Sequence, residues 1–174
     1  KGLRPENVAG VMFETYQGVG PDFAPVDYIR QLAKWCQAHD ALLVFDEVQA
    51  GVGRTGKFWA VEHYGVTPDV ICCGKGISSS LPLSAVIGRA EIMDQFPPGS
   101  MTSTHTGNPV CCAAALASVK KIVAENLTAN AARLGEILDA GLRDIQQRHA
   151  DVIGHYSCRG LVGGLQMIKP GKKE

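Results

Sequence analysis

Four short apolar runs constrain this chain more than any other feature: residues 8–13 (VAGVMF), 41–45 (ALLVF), 70–73 (VICC) and 83–88 (LSAVIG). Each is too short for a buried helix, is rich in β-branched side chains and is bounded by turn residues, so each predicts a strand. Helical spacing separates or follows them. Residues 25–38 place Val26, Ile29, Leu32, Ala33 and Cys36 on one stripe. A short helix is expected over 89–95, and a long one from about 110 to 125, opened by Asn108-Pro109. A second long helix, over 126 to about 150, is amphipathic through Ala132, Leu134, Ile137, Leu138, Leu142 and Ile145, and a last strand is expected over 160–168. Strands that are apolar throughout and alternate with helices imply an α/β fold, with a mostly parallel sheet covered on both faces.

In such a sheet, functional groups collect just past the carboxyl ends of the strands. Glu14 closes the first run, Asp46 closes the second, and Lys75 follows the third between Gly74 and Gly76. Gly51, Gly53 and Gly56 make 51–57 a loop, residues 78–81 a turn, and Pro97-Pro98-Gly99 a break before the polar stretch 100–107.

Composition excludes several other readings. Lys plus Arg and Asp plus Glu both total 17, so the net charge is zero and nothing attracts nucleic acid in bulk. No apolar run approaches the ~20 residues of a membrane-spanning helix, and Lys1–Glu6 has no signal-peptide character. The six cysteines include no C-x-x-C pair. Cys72-Cys73 and Cys111-Cys112 are adjacent, which suits neither a zinc site nor a bridge between distant segments. Reduced, packed cysteines in a cytoplasmic protein with no metal site are expected.

The motifs narrow the chemistry. Phe45-Asp46-Glu47-Val48-Gln49-Ala50-Gly51-Val52-Gly53-Arg54-Thr55-Gly56-Lys57 closely resembles the signature of the class III (ω-type) aminotransferases, which use pyridoxal 5'-phosphate (PLP). Thr67-Pro68-Asp69-Val70 with Gly74-Lys75-Gly76 resembles that family's cofactor-lysine segment, 29 positions after Asp46, and residues 81–89 continue it. Residues 103–109 (STHTGNP) resemble its later phosphate loop.

The resemblance implies fold type I, with residues 1–125 part of a large PLP-binding domain and 126–174 a linking helix and the start of a small domain. It implies that Lys75 is the Schiff-base lysine and proton shuttle. Asp46 pairs with the pyridine nitrogen, Val48 packs one face of the ring, and Gln49 bonds near its phenolic oxygen. Ser103 and Thr104 hold the phosphate, Thr104 in the partner's site of a homodimer, and Glu14 stands near the cofactor. The implied reaction is amino transfer between an ω-amine or amino acid (4-aminobutyrate- or ornithine-like) and a 2-oxo acid. Alternatives are a decarboxylase or racemase of the same fold, or a catalytically silent fragment. Gln49 favours aminotransferases and their decarboxylase relatives over aminomutases, which tend to carry Met there. His105, beside Thr104, reads as a polar loop residue rather than a proton carrier.

Three departures stand out. Thr15 follows Glu14 where the family often has Pro. Val19 stands where several members carry a second Glu that holds an arginine aside. Ser78-Ser79-Ser80 replace common glycines and put the local backbone path in question. Family members are typically more than twice this length, and the chain, which does not open on Met, reads as a fragment or processed product. The resemblance places a further phosphate turn and a ring-stacking aromatic before Lys1, and an arginine for the substrate carboxylate after Glu174.

Overall fold

The computed structural model describes residues 4–169. The tail beyond them, and the first three residues, lie outside the description. Three parallel strands, β1 (Gly10–Glu14), β2 (Leu42–Asp46) and β3 (Val70–Cys73), are joined by β4 (Ala85–Gly88), which runs antiparallel to β3. Helix α1 (Val26–Ala38) crosses from β1 to β2. Its stripe meets one sheet face in a core of Ile29, Cys36, Leu43, Phe45, Val61 and Tyr64. Phe45 and Ile29 are fully buried. Truncating such an aromatic costs about 3–5 kcal/mol, so this layer fixes the position of everything beyond the strand ends.

Asp69 sets the register at the other edge. Its Oδ2 accepts the Leu43 N–H at 2.7 Å and its Oδ1 pairs with Arg89 at 3.0 Å. A 3-10 turn, Ala60–Tyr64, packs under β2, and another, Lys75–Ile77, follows β3. Helix α2 is short (Ala90–Met93). Helix α3 (Pro109–Ala124) begins as the sequence predicts. Asn108 Oδ1 accepts the Val110 N–H at 3.0 Å, and Pro109, which has no N–H to leave unpaired, occupies the first turn. Helix α4 (Leu127–Arg148) packs on α3 and on a two-stranded antiparallel hairpin, β5 (Ile153–Arg159) and β6 (Val162–Met167).

One expectation is corrected. The final strand over 160–168 is the second arm of a hairpin whose first arm, β5, carries only scattered apolar residues. Helix α4 covers it, so it needs no apolar run of its own. Within the described residues, α1 covers one face of the sheet, and Met12 and Val86 on the opposite face are 60% and 55% exposed. Helix α3 packs on α4 and on the 3-10 turn after β3, and α4 packs on the hairpin.

The hairpin returns to the main sheet's loops. The Leu161 N–H donates to the Arg54 carbonyl at 2.9 Å. Gly160, at φ +58°, touches Thr55 so closely that an added Cβ would lie 2.4 Å from its carbonyl carbon. The Arg159 guanidinium lies 4.7 Å over the Phe23 ring.

Candidate active site

Because β1, β2 and β3 run parallel, their carboxyl ends share one edge, and Glu14, Asp46 and Cys72 lie in register across it. Past β2 the chain turns tightly. Asp46 Oδ1 accepts the Val48 N–H at 2.8 Å, and the Gly51 N–H returns to the Glu47 carbonyl at 2.9 Å. Past β3, Val48 flanks Gly74, where an added methyl would lie 3.5 Å from Val48 Cγ1. Lys75 Nζ then donates to Gln49 Oε1 at 3.2 Å. Glu14 Oε2 accepts the Gly18 N–H at 3.1 Å, and Gly18 abuts the Gln49 amide. The structure thus brings Glu14, Asp46, Val48, Gln49 and Lys75 to one edge.

Gln49 and Lys75, but not Glu14, Asp46 or Val48, also line a cavity of about 580 Å³ together with Tyr16, Val52, Ser79 and Ser118. That volume suits a small molecule. Three non-glycine residues in the left-handed region line it: Val52 (φ +61°), Lys75 (φ +42°) and Ser79 (φ +65°). Such conformations cost ~1–3 kcal/mol each and persist where the surroundings over-determine them, as at functional sites. Val52, β-branched, is the most strained of the three.

The serines after Lys75 form a defined turn. Buried Ser78 donates to the Leu81 carbonyl, and Ser79 Oγ lies 3.0 Å from Ser118 Oγ on α3.

Behind the edge lies Glu47, fully buried at 0% exposure. Its Oε1 accepts Thr15 Oγ1 and the Val61 N–H, both at 2.7 Å, and its Oε2 accepts the Ala60 N–H at 2.9 Å. Burial pushes its carboxyl above the usual range, opposed by these three donors. Nearby, burial and then the Arg159 charge hold His63 below the usual imidazole value. Its Nε2 lies 3.1 Å from both the Thr55 carbonyl and the Thr55 hydroxyl.

Ser103 and Thr104 are not brought to this cluster. Both are exposed, as is His105. Ser103 bonds to Thr106, and Asn108 rather than Thr104 caps α3. Sequence reasoning assigned no role to Glu47, Val52 or Ser118, and Ser79 was visible only as one of three serines in place of glycines. Thr15 was visible only as a departure from a pattern. Among the described residues, no group of three or more His, Cys, Asp or Glu is placed to hold a metal ion, and no helix is long and apolar enough to cross a membrane.

PLP requires an amine, a carboxylate for its ring nitrogen, an apolar surface for its ring and donors for its phosphate. Lys75, Asp46 and Val48 meet the first three requirements at one strand edge, so the site fits the group there. The mostly parallel sheet with flanking helices is that of fold type I, shared with solved transaminases. The family model of class III aminotransferases matches residues 2–174, and the chain belongs to that family.

It is 38% identical over 169 residues to 5-aminovalerate aminotransferase DavT of Pseudomonas aeruginosa, covering 97% of this chain and 39% of that protein. It is 40% identical over 165 residues to a leucine/methionine racemase of Thermococcus litoralis, covering 94% and 37%. A solved ornithine aminotransferase from Toxoplasma gondii, with partial occupancy of PLP at its active site, superposes with a TM-score of 0.83 at 36% identity, over 94% of this chain and 39% of that one. The chain thus spans about two-fifths of the length of its curated relatives.

Proposed function

We propose that the protein transfers an amino group between an ω-amine or amino acid, of the 4-aminobutyrate or ornithine type, and a 2-oxo acid, with PLP as cofactor. The observation that carries the reading is the meeting of Asp46 and Lys75 at adjacent strand ends, with Gln49 Oε1 3.2 Å from the Lys75 amine. When bound, the cofactor supplies an electron sink for charge developing at the substrate carbon. Asp46 holds a proton on the ring nitrogen, and Val48 supports one ring face. Gln49 orients the Lys75 amine and donates near the ring's phenolic oxygen. Lys75 Nζ would hold the cofactor and would take up and return the proton of the substrate carbon. Glu14 supports Gln49 through Gly18.

The same reading makes the active form a homodimer in the cytoplasm. Exposed Thr104 then reaches the phosphate of the partner's site, and Ser103 beside it also serves the phosphate. Residues 1–125 belong to the large domain and 126–174 to a linking helix and the start of a small one. Racemisation is the second reading, favoured by the likeness to the T. litoralis racemase.

The test uses the full-length enzyme with PLP. Lys75→Ala is expected to abolish both the cofactor's covalent attachment, trapped by borohydride, and 2-oxo-acid-dependent amine consumption. A borohydride adduct at a different lysine would refute the Lys75 role. Racemisation or carbon dioxide release without keto-acid formation would refute amino transfer.

A further inference from the structure

We propose that Glu47, clamped by Thr15, is a positioning residue that fixes how Asp46 and Val48 are presented to the cofactor; this rests on the Asp46 role given above. The three residues are consecutive and alternate in direction. Asp46 and Val48 are half-buried at the strand edge, whereas Glu47 points back into the core. Every polar group of Glu47 is bonded to the frame. Its N–H donates to the Cys72 carbonyl at 2.8 Å and its carbonyl accepts from Gly51. Its carboxylate takes the Thr15 hydroxyl at the end of β1 and the Ala60 and Val61 N–H groups. The Thr15 N–H adds a bond to the Asp46 carbonyl at 3.2 Å. The turn that carries Asp46 is therefore tied to β1, β3 and the 3-10 turn through one side chain.

The chemistry of the clamp is specific. All three partners of the Glu47 carboxyl are donors, so only a group that accepts at both oxygens satisfies them. Glu47 makes no ion pair among the described residues, and Thr15 is equally buried. A glutamine at 47 can keep the two bonds at Oε1 but sets its NH2 against the Ala60 N–H. A valine at 15 removes the hydroxyl while keeping the shape. Either change leaves the Asp46 side chain intact and loosens what aims it, and a shift of ~1 Å at such a group is enough to weaken its function.

The experiment uses full-length enzyme, apo and loaded with PLP, carrying Thr15→Val, Thr15→Ser, Glu47→Gln or Asp46→Asn. The readouts are PLP affinity, the pH midpoint of the bound cofactor's visible absorbance, and the melting temperature of the apo form. Thr15→Val is expected to weaken PLP binding about tenfold, the size of a lost bond to a charged group, and to move the absorbance midpoint. Thr15→Ser should restore both, and Glu47→Gln should act in the same direction as Thr15→Val. If Asp46→Asn moves these readouts while Thr15→Val and Glu47→Gln change only the melting temperature, the clamp is structural and the inference is overturned. If Asp46→Asn moves nothing, the Asp46 role falls and the inference falls with it. Should Glu47→Gln fail to fold, the Thr15 pair decides alone.

Discussion

Asp46 Oδ1 lies 2.8 Å from the Val48 amide nitrogen, so one oxygen of the carboxylate is used within its own turn. This bond locks Asp46 to the residue proposed to support the ring and leaves Oδ2 for the proposed pairing with the ring nitrogen. The two roles are thereby mechanically linked.

Asp46→Asn keeps an oxygen for the Val48 N–H but cannot hold a proton on the ring nitrogen. PLP is expected to remain bound, while turnover falls about 10²–10³-fold, equivalent to roughly 2–4 kcal/mol of transition-state stabilisation. Steady-state kinetics of the variant with saturating PLP provide the measurement, and a rate close to wild type would remove Asp46 from this role.

Thr104 lies outside the Lys75 cluster and is exposed. Mixing a Lys75→Ala subunit with a Thr104→Ala subunit under exchange conditions tests whether it serves a partner. With shared sites, one site of each heterodimer carries both defects and the other carries neither, so activity should rise toward half per heterodimer. No recovery on mixing would place Thr104 in its own subunit's site.

His63 is half-buried beside Thr55, and its folded pKa is depressed, first by desolvation and then by Arg159. The folded state therefore binds a proton less readily than the unfolded chain. Its stabilising contribution is full above the unfolded value of about 6.5 and is lost as pH falls through the lower folded value. His63→Gln should remove this dependence. The melting-temperature difference between wild type and variant should shrink as pH drops below neutrality, and a constant difference would contradict it.

Gly160→Ala should destabilise the fold strongly. Its left-handed φ alone costs an L side chain ~1–2 kcal/mol, and the contact with the Thr55 backbone leaves no room to relax, so a total of about 3 kcal/mol or more is expected. Gly141→Ala, on α4 with open space around it, should instead be neutral or stabilise by ~0.5–1 kcal/mol. Urea unfolding of both variants makes the comparison.

Much of this site was legible because strand order and strand ends suffice to place it. The run 70–73 predicts β3, and Asp46 and Lys75 then fall on one edge without knowledge of any side-chain packing. Asn108-Pro109 likewise announces the start of α3 through chemistry local to the residues. Glu47 could not be read in the same way. Its partners come from β1 and from a 3-10 turn, and nothing local marks Ala60 and Val61 as donors to it. The strain at Val52 and Ser79 is also tertiary, since neither residue favours the left-handed region by itself. Strand β5 escaped because α4 supplies the apolar cover that a pattern search looks for within the strand.

The junction between the hairpin tip and the loop after β2 has a kinetic consequence. The bonded pair Arg54 and Leu161 are 107 positions apart in sequence, and closing a loop of that length must precede any gain from the contact. The parallel strands and the α4–hairpin unit can each form over shorter distances. Their docking at this point should come late, after the rate-limiting barrier. Substitutions at the junction would then leave the refolding rate nearly unchanged and speed unfolding, so this seam governs how long the native state lasts rather than how quickly it is reached.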